Sequence, residues 1–473
     1  MRYITILLLF SLSFVAGTSH CQEVWSLERS VTHALKNSIG ILQSDIATSN
    51  AEIDLEVAKQ ARYPNLSAGT NLSWNFGRTI DPTSNSFITE TFFSNNYSLG
   101  SGVLLYNGSR IKNTIKRREI DLKATQADAQ QVAQDLSLTV AISYLNVLFA
   151  LENIDISEKQ VQLNSQQLER TNKSISAGIL PAAERLSLEA QLAQSEQGVI
   201  VAKNTYDIAL LQLKQYLRLD ASTDITVEVP QNVDVETNPD LLTLDELLAK
   251  TIGNRYDLKA ATLRAEASEL DVTLAKSGYY PTISLFGNLG TNYSNQAREI
   301  VGFESETVDT EVTFNGNPVT FSQTFDSPLF GRPGFGTQLD NFLSYGFGVG
   351  VNIPIYSNGV NKANVARAKL GIEGQRLQKQ QLVENLKANL QQSLSDARAA
   401  KKTLEASDKS IAAQKAAFDS VTKRLDIGAA NSFEWETQKT QLENLEIQRL
   451  TNKYDYLFKV KILEFYLGKK LKF

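Results

Sequence analysis

The sequence predicts an α+β membrane protein in which the strands of a β-barrel are followed by long coiled-coil α-helices. Three observations predict this fold: an internal two-fold sequence repeat, two long segments with an apolar residue at every seventh position, and four segments in which apolar and small polar residues alternate. The chain has only 10 prolines in 473 residues, which favours long, uninterrupted elements.

Composition excludes several classes of function. The chain has 47 basic and 52 acidic residues, a net charge of −5, so we expect no nucleic-acid partner. Its one cysteine is Cys21 and its two histidines are His20 and His33, which excludes a disulfide framework, a zinc site of Cys and His ligands, and a Cys–His nucleophile pair. We therefore expect no enzymatic activity, no cofactor and no metal site.

The N-terminus, residues 1–21, is predicted to be a signal peptide. Arg2 precedes an apolar run from Ile4 to Ala16, which is too short to cross a bilayer. The pattern leaves the cleavage site open, and a lipid on Cys21 is an alternative. No later segment has 18 apolar residues in succession, so we expect no transmembrane helix.

The rest of the chain consists of two structural repeats, 22–236 and 237–473. AKQARYPNLSAGTNLSW begins at Ala58 and AKSGYYPTISLFGNLGT begins at Ala275, an offset of 275 − 58 = 217. Farther along, ISAGILPAAERL and LDIGAANSFEWE place their glycines at an offset of 250. The second repeat therefore contains an insertion, and its composition predicts a long polar loop at about 292–341, with or without a small hairpin of its own.

Each repeat is predicted to contain one long helix, over 109–177 and 360–427, and one return helix, over 182–218 and 432–468. A strict seven-residue spacing of apolar residues indicates helices that coil around neighbours, whereas a helix on a globular core would not need so long a register. The heptad residues are Ala133, Val140, Val147, Ile154, Val161, Leu168 and Ile175, and Val383, Leu390, Ala397, Leu404, Ile411, Phe418 and Leu425.

Four segments, at about 64–78, 93–107, 281–294 and 343–356, alternate between apolar and small polar residues. Their length and their uncharged Gly/Ser/Asn faces are typical of membrane β-barrel strands, and strands of a soluble sandwich are the alternative. Four strands cannot close a barrel in lipid, so the barrel must be shared between chains. Two chains would give 4 × 2 = 8 strands and three would give 4 × 3 = 12.

The duplicated order of helix, two strands, long helix and return helix resembles the TolC family of outer membrane efflux proteins. So does a turn motif in which a glycine is followed six residues later by an acid, Gly178 to Glu184 and Gly428 to Glu434. The resemblance implies a homotrimer with a 12-stranded barrel in the outer membrane lipid and a helical tunnel across the periplasm. It implies a passive channel that works with a periplasmic adaptor protein and an inner-membrane transporter in a tripartite export system.

The resemblance also implies positions for a channel constriction. Three chains would bring the acids that follow the turn glycines into one negative ring, which favours cations, although solvated acids at helix starts are the alternative. The family's gating tyrosine and arginine fall on Leu425 and Ala430 here, so neighbouring charged residues are candidates to replace them. The candidate constriction residues are Glu184, Glu434, Arg424 and Asp426.

The two hairpin turns resemble the tips that meet adaptor hairpins, and a simple helix C-cap is the alternative. The candidate docking residues are Gly178, Ile179, Leu180, Gly428 and Ala429. Two other functions fit the same sequence features: the outer membrane component of a type I protein secretion system, and a periplasmic coiled-coil structural protein without a pore.

Overall fold

The computed structural model describes residues 23–80, 85–89, 91–230 and 237–469. The predicted signal peptide, including Cys21, lies outside the described residues.

Two compact units make up the chain, and neither coincides with a sequence repeat. The helical unit includes the described residues of Met1–Asn50, Lys123–Arg264 and Arg376–Phe473, and the strand unit includes those of Ala51–Leu122 and Ala265–Gln375. Each unit takes segments from both repeats, because strands of the first repeat bond to strands of the second.

Long helices dominate both repeats. The two long helices and the two return helices all begin and end within two residues of their predicted bounds. The α-helices of the described residues are α1 (Leu27–Asn37), α2 (Ile39–Gln60), α3 (Arg110–Ser176), α4 (Ala183–Leu217), α5 (Leu244–Asn254), α6 (Tyr256–Lys276), α7 (Phe335–Asn341), α8 (Val360–Asp426) and α9 (Ser432–Tyr466).

The strands are shorter than the helices, and those in the described ranges fall into four sheets. The last predicted barrel strand ends at Asn352 rather than at residue 356, two residues before Pro354, which cannot donate to a ladder. The strands of the described residues are β1 (Glu23–Trp25), β2 (Asn65–Asn75), β3 (Thr79–Ile80), β4 (Phe87–Ile88), β5 (Phe92–Asn107), β6 (Ile225–Val227), β7 (Thr282–Ser294), β8 (Glu299–Phe314), β9 (Asn317–Gly331) and β10 (Ser344–Asn352).

The four segments predicted as barrel strands form one antiparallel sheet in the order β10-β7-β5-β2. The central pair joins the two repeats, since β5 pairs with β7 from Ser94 opposite Ser294 to Asn107 opposite Thr282. Strands β2 and β10 each have one neighbour in the sheet, so each carries an open edge of unpaired N–H and C=O groups.

The two faces of this sheet differ as the alternation predicts. On β10 the apolar side chains of Tyr345, Phe347 and Val349 are exposed, and Phe347 retains 89% of its accessible surface. The opposite face of β10 carries glycines, and the absence of a side chain at Gly348 leaves room for the ring of Phe286 on β7. A Cβ on Gly348 would lie 2.8 Å from Cζ of Phe286 on β7.

The insertion at 292–341 is mostly a hairpin, so the expectation of a long polar loop was wrong, whereas the hairpin that the composition left open is present and is long rather than small. It contains a hairpin of two long strands, β8 and β9, paired from Glu299 opposite Gly331 to Phe314 opposite Asn317, followed by α7. The turn is Asn315-Gly316, both with positive φ (52° and 82°), which is the two-residue turn that matches strand twist. Alternating Val, Thr and Phe residues supply the strand propensity on either side.

Heptad residues of the long helices form the core of the helical unit. All 14 predicted positions are buried or half-buried, and Val140, Val147, Leu390 and Ala397 are fully buried. The first pair packs in a cluster with Trp25, and the hydroxyl of Tyr144 in this cluster donates to backbone carbonyls of Trp25 and Glu228 at 3.0 and 2.7 Å. The second pair belongs to a separate cluster around Leu247.

One helix among the described residues is long and apolar enough to cross a membrane by length and composition. It is α3, in which an 18-residue window has a mean hydropathy of 1.4. This window contains no unbroken run of 18 apolar residues, so the absence of such runs from the sequence did not predict it. A core explains its apolar character, because Val140, Leu145 and Val147 of α3 are fully buried within the chain.

Candidate functional site at the helical hairpin turns

The turns that join each long helix to its return helix have the same backbone geometry. Gly178 and Gly428 adopt left-handed φ values of 74° and 72°, which glycine reaches at little cost. Each turn then closes with a bond across six residues, as in the Schellman motif that satisfies the last helical carbonyls. The closing bonds run from the N–H of Ile179 to the carbonyl of Ser174 (2.9 Å) and from the N–H of Ala429 to the carbonyl of Arg424 (2.7 Å).

Apolar side chains project from both turns. Ile179 is 74% exposed, Ile427 is 79% exposed, and Phe433, in the first turn of α9, is 78% exposed. Of the other predicted docking residues, Gly178, Gly428 and Ala429 are exposed and Leu180 is half-buried. A Cβ added at either turn glycine would meet no atom within 4 Å, so the space above both turns is open.

Two of the predicted constriction residues contact each other in the second turn. Nη1 of Arg424 donates to Oε1 of Glu434 at 2.8 Å, and Nη2 donates to Oε2 at 3.4 Å and to the carbonyl of Ala429 at 3.1 Å. The side chain of Asn431 caps α9 by accepting from the N–H of Glu434 at 2.8 Å. The carboxylate of Glu434 is therefore paired with a positive charge within its own hairpin.

The first turn lacks this arrangement. At the offset of 250, the position of Arg424 is taken by Ser174, and Glu184 forms no ion pair with any residue that the structure describes. The negative charge of Glu184 instead repels the carboxylate of Glu436 in the second hairpin. Burial raises the pKa of Glu436 and the nearby Glu184 carboxylate raises it further, while Lys439 and the Ser187 hydroxyl lower it.

The remaining candidates at the second turn are placed differently. Asp426, the last residue of α8, is exposed and makes no hydrogen bond or ion pair with the described part of the chain. Leu425 and Ala430, where the family has its gating tyrosine and arginine, are both half-buried. Arg424 thus has a defined partner, and Asp426 has none within the described part of the chain.

Sequence reasoning missed a buried charged residue next to the second turn. Lys439 of α9 is fully buried, donates to Oδ1 of Asn164 on α3, and lies 3.1 Å from the carboxylate of Glu443. Trp435 covers it with its ring 5.7 Å away and is itself anchored to Thr422 by a 3.0 Å bond from Nε1. A single lysine in a polar helical segment carries no sequence signal that predicts burial, because its partner Asn164 belongs to the other repeat.

The hairpin turns hold no candidate metal site. Within the described residues, no cluster of three His, Cys, Asp or Glu side chains could bind a metal ion. The arrangement can thus offer charge, hydrogen bonds and exposed apolar side chains.

Comparison with known proteins gives a family. The family profile of the outer membrane efflux protein family matches residues 31–217 and 247–469, once in each repeat. The chain is 20% identical over 356 residues to outer membrane protein TolC of Escherichia coli (strain K12), covering 72% of this chain and 64% of that protein. It is 25% identical over 186 residues to outer membrane protein TolC of Vibrio cholerae, covering 38% of this chain and 42% of that protein.

The chain thus matches less than two thirds of the length of these curated relatives. Solved structures share the fold over more of the chain. The CusC crystal structures match with a TM-score of 0.73 at 16% identity, covering 94% of this chain and 92% of that one. The outer membrane protein VceC of Vibrio cholerae matches with a TM-score of 0.72 at 14% identity, covering 94% and 97%.

The profile matches extend over most of both repeats, and the fold agrees over nearly the whole chain. The predicted localisation in the cell outer membrane, with a periplasmic helical extension, is confirmed by these matches. This chain belongs to the outer membrane efflux protein family.

Proposed function

We propose that three copies of this chain form the outer membrane channel of a tripartite export system, a passive duct from the periplasm to the exterior. The observation that carries the proposal is the four-stranded sheet with open edges at β2 and β10. An open edge in lipid leaves backbone groups without partners, at a cost of several kcal/mol each. Three copies joined edge to edge would supply 4 × 3 = 12 strands and remove every edge.

Partner docking is the second part of the proposal. The exposed Ile179, Ile427 and Phe433 give each chain two apolar tips, which suit the hairpin of a periplasmic adaptor protein. Helices that meet such a partner bury apolar side chains at the contact, which is favourable by about 25 cal/mol per Å². An inner-membrane transporter would supply the energy, since the family is one of channel proteins rather than enzymes.

The closed state is the third part. Glu184 of three chains would form the negative ring of the constriction, with Glu434 neutralised by Arg424. Adaptor binding would then favour an open state by contacting the turns better in that state than in the closed one.

Mass measurement of the detergent-solubilised protein, combined with conductance in planar bilayers, tests the proposal. We expect a trimer with heat-sensitive migration and a conducting pore. A stable monomer with intact β content would contradict the shared barrel. A trimer without conductance would instead favour a coiled-coil structural protein.

A further inference from the structure

Four strand–helix junctions in the strand unit share an unexplained pair of side chains. At each junction a tyrosine lies within six residues of a lysine. All eight residues are exposed, and the tyrosines retain between 42% and 83% of their accessible surface. We call these residues the Tyr–Lys belt. Its members are Lys59 and Tyr63, Tyr106 and Lys112, Lys276 and Tyr280, and Tyr356 and Lys362.

The internal duplication has kept these pairs in register. Lys276 and Tyr280 repeat Lys59 and Tyr63 at an offset of 217, and Tyr356 and Lys362 repeat Tyr106 and Lys112 at an offset of 250. Residues between them have not been kept. Arg110 and Ile111 become Val360 and Asn361, for example. The tyrosine and the lysine are therefore the same at equivalent junctions of the two repeats, although the residues between them differ.

More cations than acids surround the belt. The first ten residues of α3 contain five basic residues and one acid, and the first ten of α8 contain three basic residues and no acid. Two of the acids nearby are already paired with arginines: Asp271 lies 2.7 Å from Arg117, and Asp54 lies 3.4 Å from Arg118. Within the described ranges, none of the four belt lysines forms an ion pair.

The backbone at these junctions is held firmly. The turn before α3 has two left-handed residues, Gly108 and Ser109, and the turn before α8 likewise has Asn358 and Gly359. The two junctions of the second repeat are tied together here, since Nδ2 of Asn361 donates to the carbonyl of Gly278 at 2.6 Å. The residues of the Tyr–Lys belt therefore lie next to turns and a hydrogen bond that define the backbone conformation there.

A mostly apolar cleft of about 430 Å³ opens at the same level. Leu104, Ile111, Pro354 and Tyr280 supply apolar surface, and Arg110 supplies a charge. Such a combination accommodates the region of a lipid in which an acyl chain joins a charged headgroup.

We propose that the Tyr–Lys belt binds the headgroups of anionic phospholipids in the periplasmic leaflet of the outer membrane. The inference rests on the outer membrane localisation of the family, which places the helix-bearing end of the sheet at the periplasmic side. Tyrosine rings favour the headgroup level of a bilayer, and exposed lysines near it attract anionic lipid. The excess of unpaired cations selects for a net negative headgroup over a zwitterionic one.

Reconstitution of the full chain into vesicles tests this proposal. The thermal transition of the protein is measured in phosphatidylethanolamine vesicles with and without phosphatidylglycerol. The test variant replaces Lys59, Lys112, Lys276 and Lys362 with Gln. A matched control replaces four exposed lysines of α8 in the helical unit, Lys387, Lys402, Lys409 and Lys423, with Gln.

We expect phosphatidylglycerol to raise the transition temperature of the parent and the control, and the belt variant to lose most of that shift. An equal loss in the control would overturn the proposal, because the effect would then be general charge. An equal shift from inorganic phosphate in pure phosphatidylethanolamine would also overturn it. So would a belt variant that keeps the lipid shift but changes ion selectivity, since its lysines would then face the lumen. Trimer mass and conductance of each sample test the channel itself separately.

Discussion

The guanidinium of Arg424 donates to both carboxylate oxygens of Glu434, and to the carbonyl of Ala429 between them in the chain. The equivalent positions in the first hairpin, at 424 − 250 = 174 and 434 − 250 = 184, hold Ser174 and Glu184. The two turns share a backbone but differ in charge. Among the residues that the structure describes, the Glu434 carboxylate has an ion-pair partner and the Glu184 carboxylate has none.

This difference predicts opposite effects of two substitutions on ion selectivity. Glu184→Gln should lower the preference for cations, and Arg424→Gln should raise it by freeing Glu434. One unit charge about 10 Å from an ion in water is worth about 0.4 kcal/mol, or about a twofold change in permeability ratio per charge. Reversal potentials in planar bilayers under a salt gradient measure both effects.

Arg449→Gln is the matched control for selectivity, since Arg449 also forms an exposed pair, with Asp408 at 2.5 Å, but away from the turns. It should leave the permeability ratio unchanged. If Glu184→Gln and Arg424→Gln also leave it unchanged, the constriction lies elsewhere, and Asp426 is the next residue to change.

The left-handed turn glycines predict a stability effect. Gly178→Ala and Gly428→Ala each place a Cβ in open space but in an unfavourable backbone region, which costs about 1 to 2 kcal/mol. Gly198→Ala, inside α4 and also without a nearby atom, should instead stabilise by about 0.5 to 1 kcal/mol. Thermal unfolding followed by circular dichroism compares the three, and the same sign at all sites would refute the assigned turn geometry.

Glu436 predicts a pH dependence. Its folded-state pKa is raised, chiefly by burial, so the folded protein binds this proton more tightly than the unfolded chain does. Its contribution to stability is therefore present below the unfolded-state pKa and is lost as pH rises through the folded-state pKa. Glu436→Gln should melt at a higher temperature than the parent at neutral pH, and the difference should disappear in acid. Exposed Glu196→Gln controls for loss of charge.

The long hairpin in the insertion predicts tolerance to deletion. Glu299 pairs with Gly331, so a short Asn-Gly turn can replace everything between them. Nearly all residues of β8 and β9 are exposed, so the trimer and its conductance should survive. Loss of the trimer on deletion would show that the hairpin joins protomers.

Gln338→Ala, by contrast, removes a buried side chain that accepts from the N–H of Ser294 at 2.9 Å, and should lower the free energy of unfolding by about 1 to 3 kcal/mol.

Much of the fold could be predicted because periodicity in the sequence reports burial. The heptad that includes Val140 and Leu390 predicts the long helices because those residues fill the core. Alternation predicts the strands in the same way, and glycines mark the hairpin turns. The hairpin of the insertion also had a local signal, Asn315-Gly316 between residues of high strand propensity, which its polar composition obscured.

The candidate site was less predictable because its contacts join distant residues. The positions of Arg424 and Glu434 follow from the turn motif, but their pairing depends on side-chain conformations that no spacing rule gives. Lys439 contacts Asn164, 275 residues away in the chain, and the interaction of Glu184 with Glu436 also connects the two repeats. Duplication predicts two equivalent turns. It does not predict how one half contacts the other.

The pairing of β5 with β7 has a consequence for how the chain is made. Ser94 pairs with Ser294, 294 − 94 = 200 residues later, and even Asn107 at the other end of the ladder pairs with Thr282, 282 − 107 = 175 residues later. Contacts so distant in sequence form slowly, and the unpaired edges are prone to aggregation meanwhile. The first repeat therefore cannot complete this sheet alone, and its amphipathic strands stay unpaired along β5 until the second repeat follows.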